Sequence, residues 1–189
     1  AGGSIFCRCL VTDFIRDLTG IADGTLAPGV DVEGVIIEAS GIADPRVIRQ
    51  MLVETGLDAR YRLGRMITIV DPGTFYKLLR TLPNIRAQVE TADTVIINKA
   101  DRYDDERLRE TEEQVRAIQP RADVVCARYC AVEMDLFRSP GTSGSLRGEY
   151  AKCADPHYHR FTISGEGALR CRLEALLVDE RKTVYRAKG

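Results

Sequence analysis

The sequence predicts an α/β fold, a mostly parallel sheet with helices on both faces, followed by the start of a smaller α/β domain. Three observations carry this expectation. Short β-branched runs alternate with segments of helical period between residues 32 and 126. These runs are apolar almost throughout instead of alternating with polar residues, the pattern of strands covered on both sides. The composition, 44% hydrophobic and 29% charged over 189 residues, supplies enough Ile, Val and Leu for a sizeable core.

Each element follows in order. Leu10, Phe14, Ile15 and Leu18 recur at helical spacing behind a Gly-rich lead, so a helix is expected over 9–18 with Gly20 as its stop. Residues 32–38 (Val-Glu-Gly-Val-Ile-Ile-Glu) read as a buried parallel strand whose tip, Glu38, reaches a ligand site. Asp44 as N-cap and Pro45 at the first helical position open a helix that buries Ile48, Met51 and Leu52 and runs to Gly56. A second strand over 65–70 leads through Asp71-Pro72-Gly73 into a helix with Phe75, Leu78 and Leu79 inward. Pro83 starts another helix, and 93–97 is a third strand. A charged helix over 104–118 with Leu108, Val115 and Ile118 inward ends at Pro120, before a fourth strand over 122–126. Residues 138–156 are rich in Ser, Gly, Pro and Lys and read as a linker between a domain at 1–137 and a truncated domain at 157–189.

Charge and cysteine usage exclude several function classes. With 27 basic and 28 acidic side chains the net charge is −1, which suits neither nucleic acid nor an anionic membrane surface. No apolar run approaches the roughly 20 residues of a membrane-spanning helix. The first residues show neither the basic region nor the apolar stretch of a signal peptide, so a cytoplasmic location is expected. Six cysteines spread over a chain of 189 residues do not form a disulfide framework. They are either small buried hydrophobes or, where they cluster, soft metal ligands.

Asn98-Lys99-Ala100-Asp101, directly after an apolar strand, carries the most specific chemistry. A carboxylate at the position of Asp101 can accept from both the N1–H and the 2-amino group of guanine, a pair of donors that adenine lacks. Asn98 would tie neighbouring loops and touch the base edge, and the Lys99 stem would cover the purine ring. Read blandly, the same four residues are a polar strand-to-helix loop. Glu38-Ala39-Ser40-Gly41 stands where nucleotide hydrolases manage Mg²⁺ or the attacking water, and Gly41 would let backbone approach a γ-phosphate. A strand ending in Glu before a Gly turn is also common without any such role.

The ordered series Gly-Gly-Ser-Ile-Phe-Cys, Glu-Ala-Ser-Gly-Ile-Ala-Asp-Pro, Ile-Val-Asp-Pro, Ala-Asp-Thr-Val-Ile-Ile-Asn-Lys-Ala-Asp and Tyr-Arg-Ala-Lys-Gly resembles the CobW-type GTPases, a family of P-loop metallochaperones. The resemblance implies a P-loop NTPase-like GTPase domain followed by a smaller C-terminal domain. It also implies GTP and Mg²⁺ as ligands, Zn²⁺ or Co²⁺ as a carried metal, a client metalloprotein, and a possible homo-oligomer. Glu38 and Gly41 then take catalytic roles, while Asn98, Lys99 and Asp101 bind the nucleotide.

Two departures qualify this. No G-x-x-x-x-G-K-[ST] phosphate loop occurs in the 189 residues, and truncation ahead of Ala1 is the simplest expectation. The family's C-x-C-C metal motif stands here as Ser4-Ile5-Phe6-Cys7, so Cys7 alone matches, with Cys9 as an added thiol. Two thiolates need further ligands to complete a zinc shell, and they read equally as packed cysteines. Cys153, His157 and His159 form a C-x3-H-x-H group, readable as a metal relay or as polar residues at a domain boundary. Cys126 is expected in the core, and Cys171 on a packed helical face. The reading that unites these features is a GTPase that couples nucleotide state to metal delivery or metalloenzyme activation. Its rivals are a non-catalytic GTPase-like scaffold and a GTP-dependent activator that holds no metal.

Overall fold

Three tetrapeptides rich in β-branched residues form a parallel sheet in the order β1-β2-β3, with β1 at Ile67–Val70, β2 at Thr94–Ile97 and β3 at Asp123–Cys126. The computed structural model describes residues 11–41 and 43–137. Cys7, Cys9, Cys153, Cys171, His157, His159, the 138–156 linker and the 157–189 segment lie outside the described residues.

Among the described residues five α-helices accompany the sheet: α1 Val11–Ala22, α2 Ile48–Glu54, α3 Pro72–Thr81, α4 Pro83–Thr91 and α5 Asp105–Ile118. Their starts follow the expected chemistry. Asp71 caps α3 by accepting from the Gly73 amide at 3.0 Å, and Asp104 caps α5 by accepting from Arg107 N–H at 2.8 Å. Pro72 and Pro83 occupy first-turn positions, where a missing N–H costs nothing. Asp44 caps a short 3₁₀ turn, Pro45–Val47, that runs straight into α2.

Side chains alternate across the strands, so Val70, Val95, Ile97 and Val124 share one face. There they pack with Phe75, Leu82, Ile85, Val89 and Val115 from α3, α4 and α5. The opposite face carries Thr94 and Ile96, both buried, beside the exposed Ile67 and Ile69 of β1. A second core gathers Leu18 of α1 with Val47, Ile48, Met51, Leu52 and Leu57.

Gln88 of α4 joins the two cores. Its amide nitrogen donates to the carbonyls of Ala43 at 2.8 Å and Gly41 at 3.1 Å. Gln88→Leu keeps the volume and removes both bonds, so it should lower stability by about 1–2 kcal/mol, read as a fall in the urea midpoint. An unchanged midpoint would show that apolar packing alone holds the two cores together.

Three expectations need correction. Residues 32–38 form no strand: they pair with no strand among the described residues, and Val32, Ile36 and Ile37 are exposed. Apolar, β-branched residues favour extended backbone, but a strand exists only where a second strand satisfies its N–H and C=O groups. The first helix passes through Gly20 and ends at Ala22. The residue that turns the chain is Gly24, in the left-handed region at φ 72°, with its N–H bonded to the Ile21 carbonyl. Gly20 instead lets Leu26 approach, since a Cβ there would lie 2.8 Å from Leu26 Cγ. Cys126, last in β3, is exposed and not core; among the described residues β3 pairs on one side only, with β2.

Candidate nucleotide site

Parallel register aligns the strand ends. Val70 pairs with Ile97 and Ile97 with Cys126, so Asp71, Asn98 and Ala127 emerge side by side at the C-terminal edge of the sheet. Ligands of open parallel sheets bind along this edge. The backbone continues the register one step further: Asn98 N–H reaches the Val70 carbonyl at 2.9 Å, and Ala127 N–H reaches the Ile97 carbonyl at 2.8 Å.

The loop after β2 is then fixed from both sides. On the β3 side, Ala100 N–H donates to the Ala127 carbonyl at 3.0 Å, and Asn98 Oδ1 accepts from the Cys130 amide at 2.9 Å. Arg128 Nε stands 3.7 Å from Asp101 Oδ2, and its guanidinium lies over the Tyr129 ring at 5.1 Å. Both members of that ion pair are largely solvated, so it is weak and displaceable. On the β1 side, Lys99 Nζ donates to Asp71 Oδ2, and the Tyr103 hydroxyl donates to Asp71 Oδ1 at 2.6 Å.

The backbone singles out the same two loops. Among the described residues only Lys99, Tyr129 and Cys130 are non-glycine residues with positive φ, at 61°, 53° and 54°. A left-handed conformation costs an L-residue about 1–2 kcal/mol, and such residues gather where a site overrides local preference. Here all three flank the Asn98 to Cys130 contact.

Asp71 carries the clearest electrostatic signature. Partial burial pushes its carboxyl up, but donation from Lys99, Tyr103 and the Gly73 amide outweighs this and holds it below the usual carboxylate range. The same contact pushes the Tyr103 phenol up, because ionisation would break its bond to a carboxylate. The signs of the two pH effects are opposite. The Asp71 contribution to stability is present above the unfolded carboxyl value of about 3.9 and is lost as pH falls through the lowered folded value. The Tyr103 contribution is present below about pH 10 and is lost as pH rises through the raised folded value. Urea midpoints followed across pH should therefore fall at both ends, and Tyr103→Phe should flatten the alkaline fall. An identical alkaline fall in that variant would contradict the Tyr103 assignment.

Glu38 and Gly41 are placed elsewhere. Glu38 is exposed and makes no hydrogen bond or ion pair to the Asn98–Asp101 loop, while the Gly41 carbonyl is held by Gln88 of α4. Among the described residues no group of three or more His, Cys, Asp or Glu could hold a metal ion. No described helix is long and apolar enough to cross a membrane. Cys130 contributes its backbone amide to the site, and Cys126 has its thiol pKa pushed up by partial burial and by Glu112.

Asp71 stands in the Ile-Val-Asp-Pro run but receives no site role from the motifs, and Tyr103, Arg128 and the Cys130 amide belong to none of them. One signal was available: Asp71, like Asn98, directly follows an apolar run in a sheet read as parallel.

A parallel sheet with helix-capped loops converging at its C-terminal edge, one of them N-K-x-D, defines an α/β nucleotide-binding domain of P-loop NTPase type. A family model, the CobW/HypB/UreG nucleotide-binding domain, matches residues 1–126. The chain belongs to the CobW/HypB/UreG family and carries its nucleotide-binding domain. No curated protein and no solved structure matches the chain.

Proposed function

We propose that this chain reads guanine at the Asn98–Asp101 loop and serves a GTP-dependent cycle of metal delivery or metalloenzyme activation. The observation that carries the reading is the bridge from Asn98 Oδ1 to the Cys130 amide, which joins the base-selecting loop to the loop after β3. With its oxygen so engaged, Asn98 offers its amide nitrogen to the base edge. The Asp101 carboxylate is exposed and, among the described residues, held only by Arg128, so it can exchange that contact for the N1–H and 2-amino donors of guanine. The Lys99 stem covers the ring.

GTP and Mg²⁺ fit this chain in part. The residues above would supply the base half of the site. For the phosphates, Glu38 and Gly41 are the proposed contributors, with Glu38 toward Mg²⁺ or water. Bound Mg²⁺ would neutralise charge on the phosphates during hydrolysis. Cys7 and Cys9 are the proposed ligands of the carried metal, Zn²⁺ or Co²⁺, and the client is a metalloprotein.

Guanosine and adenosine titrations, followed by the amide resonances of 98–103 and 127–130, test the base reading. Guanosine should shift both loops and adenosine should shift neither. Equal responses would overturn the guanine assignment and favour a scaffold. Zinc titration of the Cys7→Ser, Cys9→Ser protein should lose one site relative to wild type, and an unchanged stoichiometry would remove these thiols from the metal role.

A further inference from the structure

We propose that Asp71 is a positioning residue for guanine readout: it clasps Lys99 and Tyr103 and so sets the loop that carries Asp101. The proposal deepens the guanine reading and rests on it.

Asp71 stands first after β1, while Lys99 and Tyr103 bracket Asp101 in the loop after β2. The two Asp71 oxygens are divided between them. Oδ2 takes the Lys99 ammonium; Oδ1 takes the Tyr103 hydroxyl at 2.6 Å and, in addition, the Gly73 amide at 3.0 Å. One carboxylate therefore closes the loop at both ends. Capping α3 does not by itself require this charge, because Asn caps a helix about as well as Asp.

Gly73 keeps the clasp open to the phenol. A Cβ there would lie 2.3 Å from the Tyr103 hydroxyl oxygen, so any larger residue would push the ring out of its contact. The floor beneath is also fixed: Arg107 donates to the Pro72 carbonyl at 2.8 Å and lies 4.5 Å over the Tyr76 ring, holding the start of α5 against α3. With its head on Asp71, the Lys99 side chain has both ends anchored, leaving its stem as the part available to cover a base.

The test compares wild type with Asp71→Asn and Tyr103→Phe. Guanosine, inosine and adenosine affinities come from NMR titration, and the Tyr103 phenol is titrated in the same samples. Asp71→Asn keeps the cap and removes the charge. It should weaken guanosine about tenfold and narrow the guanosine-to-inosine ratio, because the loop that carries Asp101 is no longer set. The Tyr103 titration should also return toward its ordinary value of about 10. Tyr103→Phe should weaken guanosine about threefold.

Guanosine affinity within about twofold of wild type in Asp71→Asn, or an unmoved Tyr103 titration, would overturn the proposal. Guanine selection would still stand if wild type continued to prefer guanosine to adenosine. Equal wild-type affinity for those two nucleosides would instead remove the guanine reading and this proposal with it. Should Asp71→Asn fail to fold, Tyr103→Phe decides alone, and unchanged guanosine affinity there overturns the clasp.

Discussion

Asp101→Asn will lower guanosine affinity roughly 100-fold and leave the fold intact. The carboxylate is the one group in the loop able to accept two donors from the base edge at once, and hydrogen bonds to a charged acceptor contribute about 1.5–3 kcal/mol each. Losing that pair amounts to about 3 kcal/mol, hence the predicted factor. An amide at this position presents one oxygen and an NH₂ group that meets the guanine 2-amino donor head on. The same amide suits a 2-carbonyl, so xanthosine should gain where guanosine loses. Stability should move little, because Asp101 is exposed and its contact with Arg128 is a long, solvated ion pair. Guanosine binding and urea unfolding measured on the same variant separate the two effects. Unchanged guanosine affinity would remove Asp101 from base selection.

Ile97→Ala carries the largest predicted loss of stability. Ile97 is fully buried at the end of the central strand, between Val70 of β1 and Cys126 of β3, in the core built by α3, α4 and α5. Truncating it removes three carbons from a site that backbone pairing on both sides keeps from collapsing. The expected cost is about 3–4 kcal/mol, a large share of the 5–15 kcal/mol typical of a domain. Its neighbour in the chain is Asn98, so loosening this strand end should also speed amide exchange across the Asn98 to Cys130 bridge. Ile69→Ala is the control. That side chain is 57% exposed on β1, and its truncation should cost under about 1 kcal/mol. Equal losses in the two variants would contradict the assignment of the packed face.

Local signals in the sequence locate much of this structure. Proline at first-turn positions and Asp caps place the helix starts of α3 and α5, and the N-K-x-D loop needs only four consecutive residues to declare its chemistry. What escapes a sequence reading depends on distant partners. The run 32–38 has strand composition, yet no local property reveals whether a second strand lies beside it. Gly20 reads as the helix stop, yet Leu26 packs on it and the left-handed turn falls at Gly24. Cys126 ends an apolar run, yet it is exposed at the end of β3, which among the described residues pairs with β2 alone. The Asp71 clasp joins residues 28 and 32 positions apart, a contact created by parallel register and invisible to any short motif.

The measurement that reaches the central claim most directly is the ratio of guanosine to inosine affinity in the wild-type chain. The two nucleosides differ only in the 2-amino group, the donor assigned to Asp101. Inosine should bind at least about tenfold more weakly, and that gap should close in Asp101→Asn. Equal affinity of wild type for guanosine and inosine would contradict base selection by this loop.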